Sequence, residues 1–412
     1  MKSLWAFVIT IFILILLALA LLTGVRSIPR SLIKENVASS AEYLKSRAES
    51  KKKGSPFWST DDFTDSLMLN IIYYNDSTSA FQQALLNSYL ESEELTKQDI
   101  LKELSEDKFT SQGFPSYYGR YWHGYQITLR PLLMVTDYRG IIRINIIVMI
   151  ILFVLVEYLC YRKLPLVYAI ALLLIFGLFY IPAGPICLQF STCFIISLIA
   201  LIILLISPQI IDNKLYGSLF FFVVGAVTSC FDLLTTPLIT LGIPLLVYTG
   251  LKRENSVKRI IVLSILWGGG YVLFWSAKWI LASSFTEYNI ISDAFDALQF
   301  RAIGEIQDEN MTRFRNRMLF IFIIFIFFGA VAFLYISKMK GSKFPIFEII
   351  KKNMYLVVIA YYPLVWFVLF SNHSFHHIWF TYRSWSVTFF ALILLLYNIL
   401  YEKDSRCSAL SQ

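Results

Sequence analysis

LWAFVITIFILILLALALLTG, residues 4–24, is an unbroken apolar run without a charged side chain. A helix crosses the hydrocarbon core with about 20 apolar residues, so this run is long enough to span. Nine further largely apolar runs follow, at 141–161, 164–181, 190–207, 217–233, 236–251, 260–281, 318–337, 354–370 and 385–401. In hydrocarbon every backbone polar group must be bonded within its own element, which a helix achieves. The short alternating segments of an outer-membrane barrel are absent. Of 412 residues, 57% are hydrophobic and only 16% charged. The expected fold is therefore an all-α, polytopic membrane bundle of about ten spans.

The first run resembles a signal peptide, with Lys2 ahead of it and an A-x-A-like trio at Ala18, Leu19 and Ala20. The apolar run continues past the trio to Leu22, so an uncleaved anchor is expected. The five cysteines, at 160, 187, 193, 230 and 407, show no metal-site spacing; Cys187 and Cys193 are the pair that oxidation would join.

The net charge of +8 has its explanation in where it lies. With loops assigned alternately, one side receives 15 basic residues against five acidic ones, among them Arg162, Lys163, Lys252, Arg253, Lys258 and Arg259. Cytoplasmic loops are the Lys/Arg-rich ones, so both termini are expected in the cytoplasm of a multi-pass plasma-membrane protein. Nucleic acid is not needed to explain the charge, and membrane lipids are the implied surroundings. The organisation reads as a first span (1–24), an extracytoplasmic helical loop domain (25–140), spans two to seven (141–281), a second extracytoplasmic loop (282–317), and spans eight to ten with a tail (318–412).

Within the large loop, 31–55, 64–74, 79–90 and 97–105 read as helices, with capping signals at Ser39-x-x-Glu42 and Thr96-x-x-Asp99. The strip SQGFPSYYGRYWHGYQITLRPLL that follows is broken by glycines and reads as ordered loop. Its Arg120, Tyr121, Trp122, His123 and Arg130 either contact a sugar or lipid headgroup or form an interfacial aromatic belt.

Polar residues in the spans gather at their outer ends: Asp232, Lys278 and the loop SNHSFHHIWFTYRSW with His373, His376, His377 and Arg383. Ionisable groups at such depth are costly and are functional candidates by default. Against that, Asp232 also suits a helix cap, Lys278 and Arg383 can snorkel, and the histidines can pack a loop. His373 and His377 lie i, i+4, but no H-E-x-x-H pattern or nearby carboxylate accompanies them, so bonding to a phosphate or sugar hydroxyl is favoured over metal. Glu157, near the cytoplasmic end of its span, is expected to snorkel or pair there.

STDDFTDSLMLN, residues 59–70, gathers Asp61, Asp62 and Asp65. One or two carboxylates suit a helix N-terminus. Three exceed that need, and their repulsion raises at least one pKa. Such a carboxylate serves as a general base, or the set holds a divalent cation. Asp61 and Asp65 are favoured as the functional pair and Asp62 as the cap.

One outward span, a long helical external loop bearing carboxylates, and many further spans resemble a GT-C-type membrane glycosyltransferase; the resemblance is one of topology over about the first 280 residues, plus the acidic cluster. RYWHGYQITLRPLL, FDLLTTPLITLGIPLL and NHSFHHIWFTYR also resemble uncharacterised bacterial membrane proteins associated with surface-polysaccharide genes. The first resemblance implies transfer of a sugar from a polyprenyl-phosphate donor to a cell-envelope glycan or lipid acceptor on the outer face. It implies no required cofactor and places the base on Asp61, Asp62 or Asp65, although these lie well beyond the first span rather than beside it. Arg120, Arg130, Lys278 and Arg383 are then the cations for the leaving phosphate. A lipid-linked saccharide flippase would need charges at mid-membrane, and a noncatalytic envelope partner would use the carboxylates as caps.

Overall fold

The computed structural model describes residues 2–50, 60–107, 113–181, 183–252, 256–304, 313, 316 and 346–410. Six helices are long and apolar enough to cross a membrane. They include α1 (Lys2–Arg26), α7 (Tyr138–Lys163), α9 (Leu188–Ile206), α11 (Lys214–Phe231) and α13 (Val257–Phe285). The sixth is the segment Ile378–Leu400. The apolar helices α8 (Leu166–Phe179) and α12 (Leu238–Leu251), and the segment Met354–Leu369, are shorter. The expected span at 318–337 lies outside the described residues.

Close helix contact explains the glycines of α11 and α13. A Cβ on Gly225 would strike the Trp267 carbonyl, and one on Gly270 would strike that of Phe222. Without a hydrophobic drive between helices in lipid, small residues that let backbones approach hold such pairs together. Glu157 of α7 makes no ion pair with Arg162, and its Oε1 is buried without a partner among the described residues.

The described residues of 27–137 form a small layer on one end of the bundle. It contains α2 (Lys34–Ser50), α3 (Asp62–Tyr73), α4 (Ala80–Leu86), α5 (Lys97–Ser105) and α6 (Gln126–Leu132). Val37, Leu44, Leu69, Ile72, Leu101 and Leu104 form its core. Two strands, β1 (Ser88–Glu91) and β2 (Phe114–Tyr117), pair antiparallel with Ser88 opposite Tyr117. The fold is thus helical with one minor hairpin-like sheet, and the expected helix 79–90 ends early. Asn87 adopts φ 49° and stops α4, and its amide then bonds the Tyr121 carbonyl at 3.0 Å. Asn70 brackets β1 by bonding both backbone groups of Leu90.

Capping differs from expectation at two places. Helix α2 starts at Lys34, so Ser39 is internal, and its hydroxyl donates instead to Asp137 at 2.9 Å. Asp61, not Asp62, is the N-cap of α3 and accepts from the Thr64 amide at 3.0 Å. Thr96 caps α5 as expected. Cys187 and Cys193 are buried and free.

The strip 118–126 fastens the layer to the bundle. The Gly124 amide donates to the Cys230 carbonyl at 2.8 Å, and a Cβ there would meet that same oxygen. The indoles of Trp275 and Trp279 on α13 both donate to the Arg120 carbonyl, at 2.6 and 2.9 Å.

Candidate functional site

At this end of the bundle α14 (Ile290–Ile303) runs beside the turn Ser371–His376. Gly304, at φ 70°, ends α14 and donates to the Phe300 carbonyl, and that turn bonds two carbonyls of the last turn of α14. Asn372 donates to Phe300 O at 2.8 Å and Ser371 to Ala302 O at 3.0 Å. Between them lies a cavity of about 430 Å³, lined by Arg120, Ala297, Phe300, Arg301, Asn372, His373, His376 and His377. Asp293, Ala297 and Arg301 follow at i, i+4 and i+8 on one face of α14. Asp293 therefore sits at the rim, where it pairs with Arg120 at 3.0 Å.

The charges of the cavity can be assigned. His373 Nε2 lies 2.8 Å from the Leu234 carbonyl. A carbonyl only accepts, so the proton is on Nε2, and Nδ1 is left as an acceptor. Burial pushes His373 down to about 3 and His377 to about 4, with Arg301 adding to both shifts. Both imidazoles are neutral at pH 7. Arg120 is offset by Asp293, whereas Arg301 makes no ion pair with a described residue and stacks 5.3 Å over the Tyr121 ring. The Tyr121 hydroxyl is buried without a partner among the described residues, within electrostatic reach of Arg301 and Asp232. Among the described residues the cavity thus offers one cation without a paired carboxylate and several neutral hydrogen-bonding groups, a set suited to a monoanion or a phosphodiester.

Asp232 shapes the wall behind His373. Its carboxylate accepts from the Thr235 amide at 3.1 Å and from the Thr235 hydroxyl. The tight loop holds Leu234 at φ 65°, a conformation few side-chain-bearing residues adopt, and the Leu234 carbonyl is the one that receives His373.

The three aspartates of 61–65 have partners elsewhere in the fold, and none lines this cavity. Asp61 is the cap. Asp62 pairs with Arg47 at 2.5 Å. Asp65 is wholly buried; it accepts from the Tyr138 hydroxyl and from the first amides of α9, Leu188 at 3.3 Å and Gln189 at 3.4 Å. Burial raises its carboxyl to about 6, against the opposing pull of Tyr138 and Arg47. Two residues further along α9, the guanidinium of Arg383 lies 4.2 Å from the Phe190 ring centroid and donates to Trp379 O at 3.2 Å. Asp65 and Arg383 thus engage the same start of α9.

Of the other residues the sequence singled out, Arg120, His373 and His377 meet around the cavity, with Tyr121 beneath Arg301. Trp122, His123, Arg130 and Lys278 are buried elsewhere. Trp122 donates to Phe274 O at 2.7 Å, and Lys278 donates to Ala84 O at 2.6 Å. Both ring nitrogens of His123 are engaged, by Tyr125 and by the Tyr118 carbonyl. Arg130 ties the Ile72 and Ile28 carbonyls together. Tyr121 and Trp122 pack inward, at 1% and 0% exposure, so neither offers an open stacking face for a sugar. Among the described residues no group of three His, Cys, Asp or Glu side chains is placed to hold a metal ion. Arg301, Asn372 and Asp293 were not visible as site residues in the sequence; the one available signal was the i, i+8 spacing of an acid and a base on a short helix.

No family model, curated protein or solved structure matches the chain.

Proposed function

We propose that the chain is a membrane transferase of the GT-C kind, taking a sugar from a polyprenyl-phosphate donor to a cell-envelope glycan or lipid acceptor. In this reading the membrane is crossed about ten times, both termini are cytoplasmic, and the cavity opens on the outer face. The observation that carries it is the cavity itself, where Arg301 is uncompensated by any described carboxylate and is joined by three imidazoles and the Asn372 amide. Arg301 and His377 hold the donor phosphate. Asp293 at the rim takes the acceptor hydroxyl proton as that oxygen attacks the anomeric carbon. The bond from that carbon to the phosphate oxygen breaks, and its electron pair leaves with the phosphate. Arg120, no longer paired once Asp293 is protonated, adds its charge to the leaving group. Asp65 and Arg383 act at one remove by fixing the start of α9.

The test is release of polyprenyl phosphate from a polyprenyl-phosphate-linked sugar by the full chain in proteoliposomes. Asp293→Asn and Arg301→Ala should each abolish release while the protein stays folded. Undiminished release by both would remove the assignment. A second reading, a noncatalytic binding protein of the envelope, is favoured by one observation: Asp61, Asp62 and Asp65 all have structural partners. It would show donor binding at Arg301 with no turnover under any acceptor.

A further inference from the structure

A second cavity, of about 320 Å³, lies against α9 on the side away from Arg383 and shares no lining residue with the first. Its wall on α9 comprises Leu188, Ser191, Thr192, Ile195, Ile196 and Ile199. These positions form one helical stripe about 16 Å long at a rise of ~1.5 Å per residue. The stripe changes character along its length. Near Leu188 it is polar, with Ser191 bonded to Asn145, and toward Ile199 it is wholly aliphatic, with Ile195, Ile196 and Ile199; Tyr125, Thr128, Val227 and Phe231 are also in the lining. None of its lining residues is charged. Ile199 is 44% exposed, so the apolar end opens on the flank of a helix of membrane-spanning length.

Asn145 sets the chemistry of the polar end. Its Nδ2 lies 2.8 Å from the Pro185 carbonyl, which only accepts, so that corner of the amide is the NH2. The same nitrogen donates to Ser191 Oγ at 2.7 Å, while the Ser191 hydroxyl has the Gly184 and Cys187 carbonyls for its own proton. Both amide protons are therefore used, and Oδ1 is left as an acceptor without a partner among the described residues. A group that satisfies it must donate a hydrogen bond. An ionised carboxylate or a phosphodiester has no proton to give, a phosphate monoester brings a charge with it, and no cation is among the lining residues to receive one.

We infer that this groove binds one hydrocarbon chain of an uncharged, hydroxyl-bearing lipid, its hydroxyl on Asn145 Oδ1 and its chain along Ile195, Ile196 and Ile199. The volume sits at the lower end of the range of about 300–1,000 Å³ that suits small-molecule sites, consistent with a single chain rather than a whole two-chain lipid. The inference does not rest on the phosphate cavity.

The experiment is photolabelling of the full chain in phosphatidylcholine nanodiscs with a diazirine-tagged diacylglycerol and, in parallel, with the matching phosphatidic acid. The diacylglycerol should label peptides covering 188–199 and 227–231 about tenfold more than the phosphatidic acid does, a difference of about 1.4 kcal/mol. Ile199→Trp, at the open end where packing is least disturbed, and Ile196→Trp, deeper in, should both remove that labelling. Equal labelling by the two probes would overturn the inference. So would labelling no greater than that of the exposed α1 face around Phe12, or labelling that survives both tryptophans.

Discussion

His373 reaches across the bundle end to donate its Nε2 proton to the carbonyl of Leu234, at 2.8 Å. The bond joins the turn that carries the three histidines to the loop that Asp232 holds in a strained shape. His373→Ala would leave the Leu234 carbonyl buried and unpaired, at a cost of about 1–3 kcal/mol. The expected outcome is a lower melting temperature in detergent together with weakened anion binding. His373→Gln, which keeps a donor at similar reach, should recover most of the stability. Equal melting of the alanine variant and the wild type would show that the bond contributes nothing.

Asp65 makes stability depend on pH in a direction opposite to that of most carboxylates. Burial is the largest influence and raises the folded-state value from 3.8 to about 6. The folded protein therefore holds this proton more firmly than the unfolded chain does. The resulting stabilisation is complete below pH ~4 and is lost as pH rises through ~6, amounting to about 3 kcal/mol at most. Asp65→Asn keeps an acceptor for Tyr138 and the α9 amides but does not titrate. Thermal unfolding between pH 4 and 7 should show a declining contribution in the wild type that the asparagine variant lacks. The same slope in both would mean that another group is responsible.

The apolar spans were legible because length and composition alone decide them. Each expected span that falls on described residues coincides with apolar helix, and six of these helices are long enough to cross a membrane, whereas α8, α12 and Met354–Leu369 are shorter. The acidic cluster was legible as an anomaly, but its roles were not. Whether Asp61 or Asp62 caps α3 depends on Arg47, which draws Asp62 away, and nothing local in STDDFTD encodes that pairing. Asp65 meets Tyr138 and the Leu188 amide, 73 and 123 residues away, so its burial is a property of the assembled layer. Strand β1 was read as helix because Asn87, which turns the chain at φ 49°, is stabilised by Gln126 from another element. The cavity brings together Arg120, α14 and the His373 turn, which are separated by many helices.

The α11–α13 crossing has no room for side chains at two points. Gly225→Ala and Gly270→Ala each place a methyl group against a backbone carbonyl that cannot swing aside. The helices must separate, at a cost of about 1–3 kcal/mol apiece. Gly268→Ala and Gly269→Ala, where a Cβ meets nothing within 4 Å, should be neutral. Melting temperatures of the four variants give the comparison, and uniform effects across them would place the crossing elsewhere.

Anion binding in the cavity should tighten as pH falls. In the free protein His377 is held at about 4, first by burial and then by the neighbouring Arg301 and His376. An anion seated among these groups favours the imidazolium, so binding draws a proton onto His377 and raises its pKa toward the ordinary value near 6.5. Affinity for farnesyl phosphate, measured by calorimetry, is therefore expected to rise between pH 7.5 and pH 5.5, with proton uptake visible as a dependence of the heat on buffer. Arg301→Ala should weaken binding about tenfold or more, since it removes the one cation that no described carboxylate offsets. His377→Phe should weaken binding at both ends of this range, more so at pH 5.5, and so flatten its pH dependence. A pH-independent affinity in the wild type would mean that the anion does not sit against His377, and full affinity in Arg301→Ala would mean that it does not sit in this cavity.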